Sequence, residues 1–153
     1  MSNRDAVTQL MREVGPLADL LLVEQSAAGD FWRLIVDETT EVTAELDEAA
    51  EVLEFATILG RPAEADQLRI FSLLLQFNRH YGDTGVVLAL DTPTGQVLQL
   101  HRRPLRAIDL TALAALIRAL AERHVALRGL VTASAPPRED ALSASMDEFT
   151  IRV

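Results

Sequence analysis

Apolar residues recur at Ala6, Val7, Leu10, Met11 and Val14, a spacing that places them on one face of a helix over about residues 3–14. Ser2 precedes it as a cap, and Gly15-Pro16 is expected to end it. A short apolar stretch, Leu17 to Val23, leads into the turn-like run at residues 26–30. The period then changes. Residues 31–36 are apolar on nearly both faces, residues 41–46 alternate cleanly, and residues 52–59 mix β-branched and aromatic side chains up to Gly60. Three strands follow from this, joined by tight connections at residues 37–40 and 47–50.

Pro62 suits the first turn of a second helix, expected over about residues 63–80. At about 100° per residue its apolar positions, among them Leu68, Ile70, Phe71, Leu73, Leu74, Leu75 and Phe77, fill an arc of roughly 220°. One sheet cannot cover so wide an arc, and the surplus suits a second copy of the chain. Residues 86–90 and 96–100 then form a hairpin whose turn is supplied by Pro93 and Gly95. Asp109 caps a last helix that is expected to run to about Arg128 and stop at Gly129.

Residues 131–145 are small, polar and proline-containing and read as a linker, after which Phe149, Ile151 and Val153 alternate as in a short strand. The predicted organisation is one domain over residues 1–130 and a linker with tail over 131–153. Its fold class is α+β, in the order α-β-β-β-α-β-β-α, with a twisted, mostly antiparallel sheet and helices packed on it.

Composition narrows the function classes. Only 5% of the 153 residues are aromatic, so the core rests on Leu, Val, Ile and Ala. There is no cysteine, which excludes disulfides and thiolate metal sites. No signal-like apolar region opens the chain and no apolar run reaches membrane-spanning length, so a cytoplasmic address without membrane contact is expected. A net charge of −9 argues against a nucleic-acid partner. The charge is polarised: residues 1–66 carry 4 arginines against 15 acids, and residues 67–130 carry 8 against 4.

The candidates for chemistry are sparse. His80, His101 and His124 are far apart and lack metal-ligand spacing, and His124 falls on the apolar stripe of its helix, as a hydrogen-bonded core histidine does. Glu41, Glu45 and Asp47 share one strand face and read mainly as solvated charge. His101-Arg102-Arg103 with Arg106 forms a basic cluster without interleaved aromatics, best suited to pairing with acidic groups. Residues 82–85 carry two glycines but no phosphate-loop spacing. No catalytic residue, metal or cofactor is predicted, and the chain is read as a binding module and not an enzyme.

The run Leu73-Leu74-Leu75-Gln76-Phe77-Asn78, then Gly85, then Leu88-Ala89-Leu90-Asp91 with Thr94-Gly95-Gln96-Val97, resembles the class I type III secretion chaperones of the Tir-chaperone family. The resemblance covers about residues 1–128; the tail beyond Gly129 is longer than the family leads one to expect. It implies a homodimeric bacterial chaperone that binds an extended N-terminal region of a secreted effector and keeps it soluble and secretion-competent without ATP. The ATPase of the secretion apparatus is a further candidate partner.

On this reading the dimer interface falls on Leu68, Ile70, Phe71, Leu73, Leu74 and Phe77. Effector contacts fall among Val7, Leu10, Met11 and Val14 on the first helix and Phe31, Trp32, Leu34 and Val36 on the first strand. Some of these must close the chain's own core, and strand parity decides whether Phe31 or Trp32 faces outward. Two rival readings stand beside it. One is a regulatory dimerisation module not tied to secretion; the other is a small-molecule enzyme using His101 or the Glu41, Glu45 and Asp47 face.

Overall fold

The computed structural model describes residues 1–133; the expected linker beyond that point and the terminal strand lie outside the described residues. Helix α1 spans Asn3–Leu17 and opens on a reciprocal cap. The Asp5 amide donates to the Ser2 hydroxyl at 3.1 Å, while the Ser2 amide and hydroxyl donate to the Asp5 carboxylate at 3.0 and 2.7 Å. Those two bonds hold the Asp5 carboxyl below the usual carboxylate range. The helix does not stop at Gly15-Pro16. Proline lacks an amide, but the turn survives because the Ala18 amide still reaches the Val14 carbonyl at 2.8 Å.

Six strands form one fully antiparallel sheet. In chain order they are β1 (Leu22–Gln25), β2 (Phe31–Ile35), β3 (Glu41–Asp47), β4 (Val52–Gly60), β5 (Val86–Asp91) and β6 (Gln96–Pro104). Their order across the sheet is β1-β2-β3-β4-β6-β5. Strand β1 comes from the apolar stretch that carried no strand prediction; it is a four-residue edge strand, short enough to give almost no period-two signal. Strand β6 continues past Leu100 through the basic residues to Pro104, because β4 is long enough to pair with all of it.

Between β4 and β5 the chain makes a 3-10 turn (Glu64–Asp66), then α2 (Gln67–Asn78) and the short α3 (Tyr81–Thr84). Helix α2 thus starts four residues later than Pro62 suggested, since Ala63 is extended and the next three residues form the tighter turn. Gly85 follows α3 at a φ of 66°. A Cβ there would come 2.9 Å from Cε1 of His101, so this position requires glycine twice over.

Asp109 caps the last helix by accepting from the Ala112 amide at 2.7 Å. This helix, α4, runs from Leu110 to Thr132 and passes through Gly129, where a stop was expected. A glycine inside a helix costs roughly 1 kcal/mol. Burying Leu127 and Val131 offsets it, and Gly60 gives room for Thr132 where the helix end crosses β4.

One face of the sheet carries the helices and two apolar clusters. The larger joins α1 and the first half of α4 to Trp32, Leu34, Val42, Ala44, Leu46, Leu53 and Phe55. The smaller joins α2 and the end of α4 to Leu59, Val86, Leu88 and Val97.

Asn78 closes the outer edge of the sheet. Its side-chain amide donates to the Leu88 carbonyl at 2.9 Å and accepts from the Leu88 amide at 2.8 Å, so it occupies the pairing groups of edge strand β5. Asn78→Ala is expected to cost roughly 1–3 kcal/mol in urea denaturation, because the buried Leu88 peptide loses both partners. An unchanged midpoint would remove this role.

Candidate functional site

A surface groove of about 330 Å³ lies between α1 and the segment leading into α4. Val7, Leu10 and Met11 line it from α1, Leu53 from β4, and Leu105, Ile108 and Leu113 from the other wall. Asn3, Glu51 and Arg106 supply polar groups at the same groove. The α1 stripe therefore does two things. Val7, Met11 and Val14 are buried against the sheet, and the side of the stripe bearing Leu10 stays accessible.

Strand β2 resolves the parity question. Trp32 and Leu34 point into the larger core, at 1% and 0% exposure. They therefore cannot meet a partner without unfolding the chain, which corrects their placement among the effector contacts. Phe31 and Ile35 take the opposite face and are half-buried, as is Val36 just past the strand. On that outer face Arg33 donates to both Glu41 oxygens at 3.2 and 2.9 Å and to Glu24 at 2.6 Å. The pairing holds the Glu41 carboxyl below its usual range.

The outer face also carries a patch that the sequence reading did not single out. Val87 and Ala89 of β5, Leu98 and Leu100 of β6, and Ala56 and Ile58 of β4 point away from the helices. None is buried, and Ile58 is 54% exposed. The signal was present in the unbroken apolar run of residues 86–90, a pattern of strands covered on both faces.

Helix α2 divides its apolar arc in three. Ile70 and Leu74 face β5 and belong to the chain's own core, so they cannot serve a dimer interface; an α2 lying on a sheet must bury its central stripe. Leu68 and Leu75 stand open on one flank with Phe71 half-buried beside them. Leu73 and Phe77 occupy the other flank, facing α4.

The rival enzymatic residues do not converge. His101 lies on the helix-covered face of β6, whereas Glu41, Glu45 and Asp47 lie on the opposite face of β3. Arg102, from the basic cluster, reaches Glu54 at 3.1 Å and Asp47 at 4.0 Å, so intrachain pairing absorbs it. Among the described residues no group of three or more His, Asp or Glu is arranged to hold a metal ion. No helix among them is long and apolar enough to cross a membrane.

A buried polar belt separates the two apolar clusters: Thr57 on β4, Gln99 and His101 on β6, and His124 on α4. The Gln99 amide donates to the Thr57 hydroxyl at 3.0 Å and to the Leu120 carbonyl at 3.1 Å. His124 is buried as expected, but among the described residues neither of its ring nitrogens has a hydrogen-bond partner, while the His101 ring lies against the Gly85 backbone. Burial pushes both histidines below their ordinary 6.5, helped by the charges of Arg103 and Arg123 at His101 and of Arg128 at His124.

Both imidazoles therefore take up a proton less readily in the fold than in the unfolded chain, which does so near pH 6.5. Stability from this source is complete above about pH 6.5 and falls as the pH drops below it. The depressed carboxylates Asp5, Asp37 and Glu41 act only at lower pH. Urea midpoints should be flat from pH 8 to 7 and decline from pH 6.5 to 5. A midpoint constant down to pH 5 would contradict the assignment.

Comparison with known proteins places these surfaces in context. The chain has the fold of the ExsC–ExsE complex (22% identity, TM-score 0.74, covering 88% of this chain and 100% of that one). It also has the fold of the HopA1–SchA chaperone–effector complex (18%, TM-score 0.65, 80% and 92%). A third similar structure is the heterodimeric ExoU–SpcU complex from the type III secretion system of Pseudomonas aeruginosa (23%, TM-score 0.60, 80% and 95%). At these identities the likeness is one of fold. No curated protein matches the chain in sequence. Residues 22–128, well over half of the sequence and all six strands, match a family directly: the chain belongs to the Tir chaperone protein (CesT) family.

Proposed function

We propose that this protein is a cytoplasmic, homodimeric chaperone that holds an extended N-terminal segment of a type III secreted effector. The observation that carries the reading is the surplus of open apolar surface on a chain of this family. The groove between α1 and α4, the outer residue Phe31, and the flank of α2 bearing Leu68, Phe71 and Leu75 remain at least partly open after the chain has closed its own core, against which Val36 packs. Apolar groups left open in this way are available for interaction with another chain.

The surfaces divide by shape. An extended segment suits the α1 groove, where the half-buried Leu10, Leu105 and Ile108 are open to its side chains and Asn3, Glu51 and Arg106 offer polar groups. Val7, Met11 and Val14, sequence candidates for the same contact, are instead buried in the chain's own core. A flat helix flank suits a two-fold contact with its own copy. Holding an unfolded segment needs neither nucleotide nor metal, and the reading assigns the chain a binding role without catalysis. Two of the structures sharing its fold are described as a chaperone–effector complex and as a heterodimer of a type III secretion system.

Co-expression with the product of the adjacent gene tests the proposal. Capture of that protein in soluble form is expected, and Leu10→Asp is expected to weaken it while the chain stays folded. Equal capture by wild type and variant would remove the groove from the account.

A further inference from the structure

The second flank of α2 forms a cleft with α4 of about 220 Å³. Its floor is Ile70, Leu74, Leu88, Leu127 and Val131, and its walls are Leu73, Phe77 and Leu130. Leu130 is 56% exposed and Leu73 40% exposed, so the rim of the cleft is apolar as well as its floor. Arginines stand near both ends. Arg69 donates to the Ala133 carbonyl at 2.9 Å where α4 ends and also pairs with Asp66 at 3.4 Å, and Arg123 lies one turn before Leu127 on α4.

We propose that residues 146–151 of the same chain, Met146-Asp147-Glu148-Phe149-Thr150-Ile151, dock in this cleft, with Phe149 in the apolar space and Asp147 and Glu148 toward the arginines. Three observations favour this occupant over a second copy. The chain leaves α4 at the cleft itself, since Val131 lines it and the carbonyl of Ala133 is tied to Arg69. Twelve residues, 134 to 145, separate the end of α4 from this segment, and a chain of that length can reach at most roughly 40 Å, more than the last turns of α4 require. Residues 131–153 carry 4 acids against 2 arginines, opposite in sign to the arginine-rich residues 67–130 that build both walls.

A tethered segment of this length has an effective concentration in the millimolar range, so modest contacts suffice to keep it bound. The docked segment covers the Leu73–Phe77 flank and leaves the Leu68–Phe71–Leu75 flank as the one open to a partner copy. The tail thus shields one apolar face of the chaperone from unspecific capture.

The absence of cysteine allows a direct test in the full chain. Leu73→Cys with Thr150→Cys is oxidised, and crosslinking is followed by mass under non-reducing conditions. A fast intrachain disulfide is expected, and adding Phe149→Asp, which leaves the reach of the tether unchanged, should slow it at least about tenfold. An equal rate with and without Phe149→Asp overturns the proposal. So does a covalent dimer as the main product, which would make a second copy the occupant.

Discussion

Leu68→Asp is expected to convert the dimer into folded monomers. Leu68 is 82% exposed in the single chain, so its replacement removes almost nothing from the chain's own core. It also lies in the first turn of α2, where a carboxylate complements the helix N-terminus. The penalty arises only on association. Two-fold symmetry buries the substitution twice, and at roughly 4 kcal/mol for each unpaired carboxylate taken out of water the dimer loses roughly 8 kcal/mol, on the order of a million-fold in the dissociation constant. Light scattering at micromolar concentration should give the dimer mass for the wild type and the monomer mass for Leu68→Asp, with the same circular dichroism. A variant that stays dimeric would move the interface off this flank, and the apolar outer face of β4, β6 and β5 would be next in line.

Trp32→Ala and Phe31→Ala are expected to separate stability from binding, although the residues are neighbours on one strand. Trp32 is 1% exposed and among the largest fully buried side chains, so its truncation should cost roughly 3–5 kcal/mol. That is a large share of the ~5–15 kcal/mol that holds a typical domain together. Phe31 is on the other face and only half-buried, and its truncation should cost well under half as much while weakening capture of the partner. Urea denaturation beside a pull-down reads both quantities. A Phe31→Ala variant as unstable as Trp32→Ala would mean that Phe31 belongs to the core.

The amino-acid pattern was most legible where one local signal dominated. Ser2 and Asp109 placed the starts of α1 and α4, and the alternation of residues 41–46 gave β3 together with its buried face. It was least legible where tertiary packing overrode local preference. Pro16 and Gly129 both signal a stop, yet α1 and α4 run through them because the next turn has backbone or apolar partners waiting. Strand β1 is too short to show a period and exists because β2 offers it an edge.

The same limit governed the candidate site. A strand apolar on both faces, like β2, does not reveal its own parity; the packing of Trp32 under α1 and α4 decides it. Likewise the width of the α2 arc forecast a surplus but not its division, and only the seating of α2 on β5 assigns Ile70 and Leu74 to the core. The family resemblance rested on the run from Leu73 to Asn78, on Gly85 and on the hairpin of residues 88–97. The structure gives Asn78 a physical task, closing the β5 edge, that no local pattern expresses.

The central claim is that two copies of this chain hold one unfolded segment of another protein. Its most direct test is the mass and hydrogen exchange of the complex purified after co-expression with the adjacent gene's product. The account predicts two copies of this chain per partner, with new protection at residues 6–11 of α1 and along a single N-terminal stretch of a partner that is insoluble alone. A chain that purifies as a monomer and leaves the neighbouring protein insoluble would contradict it.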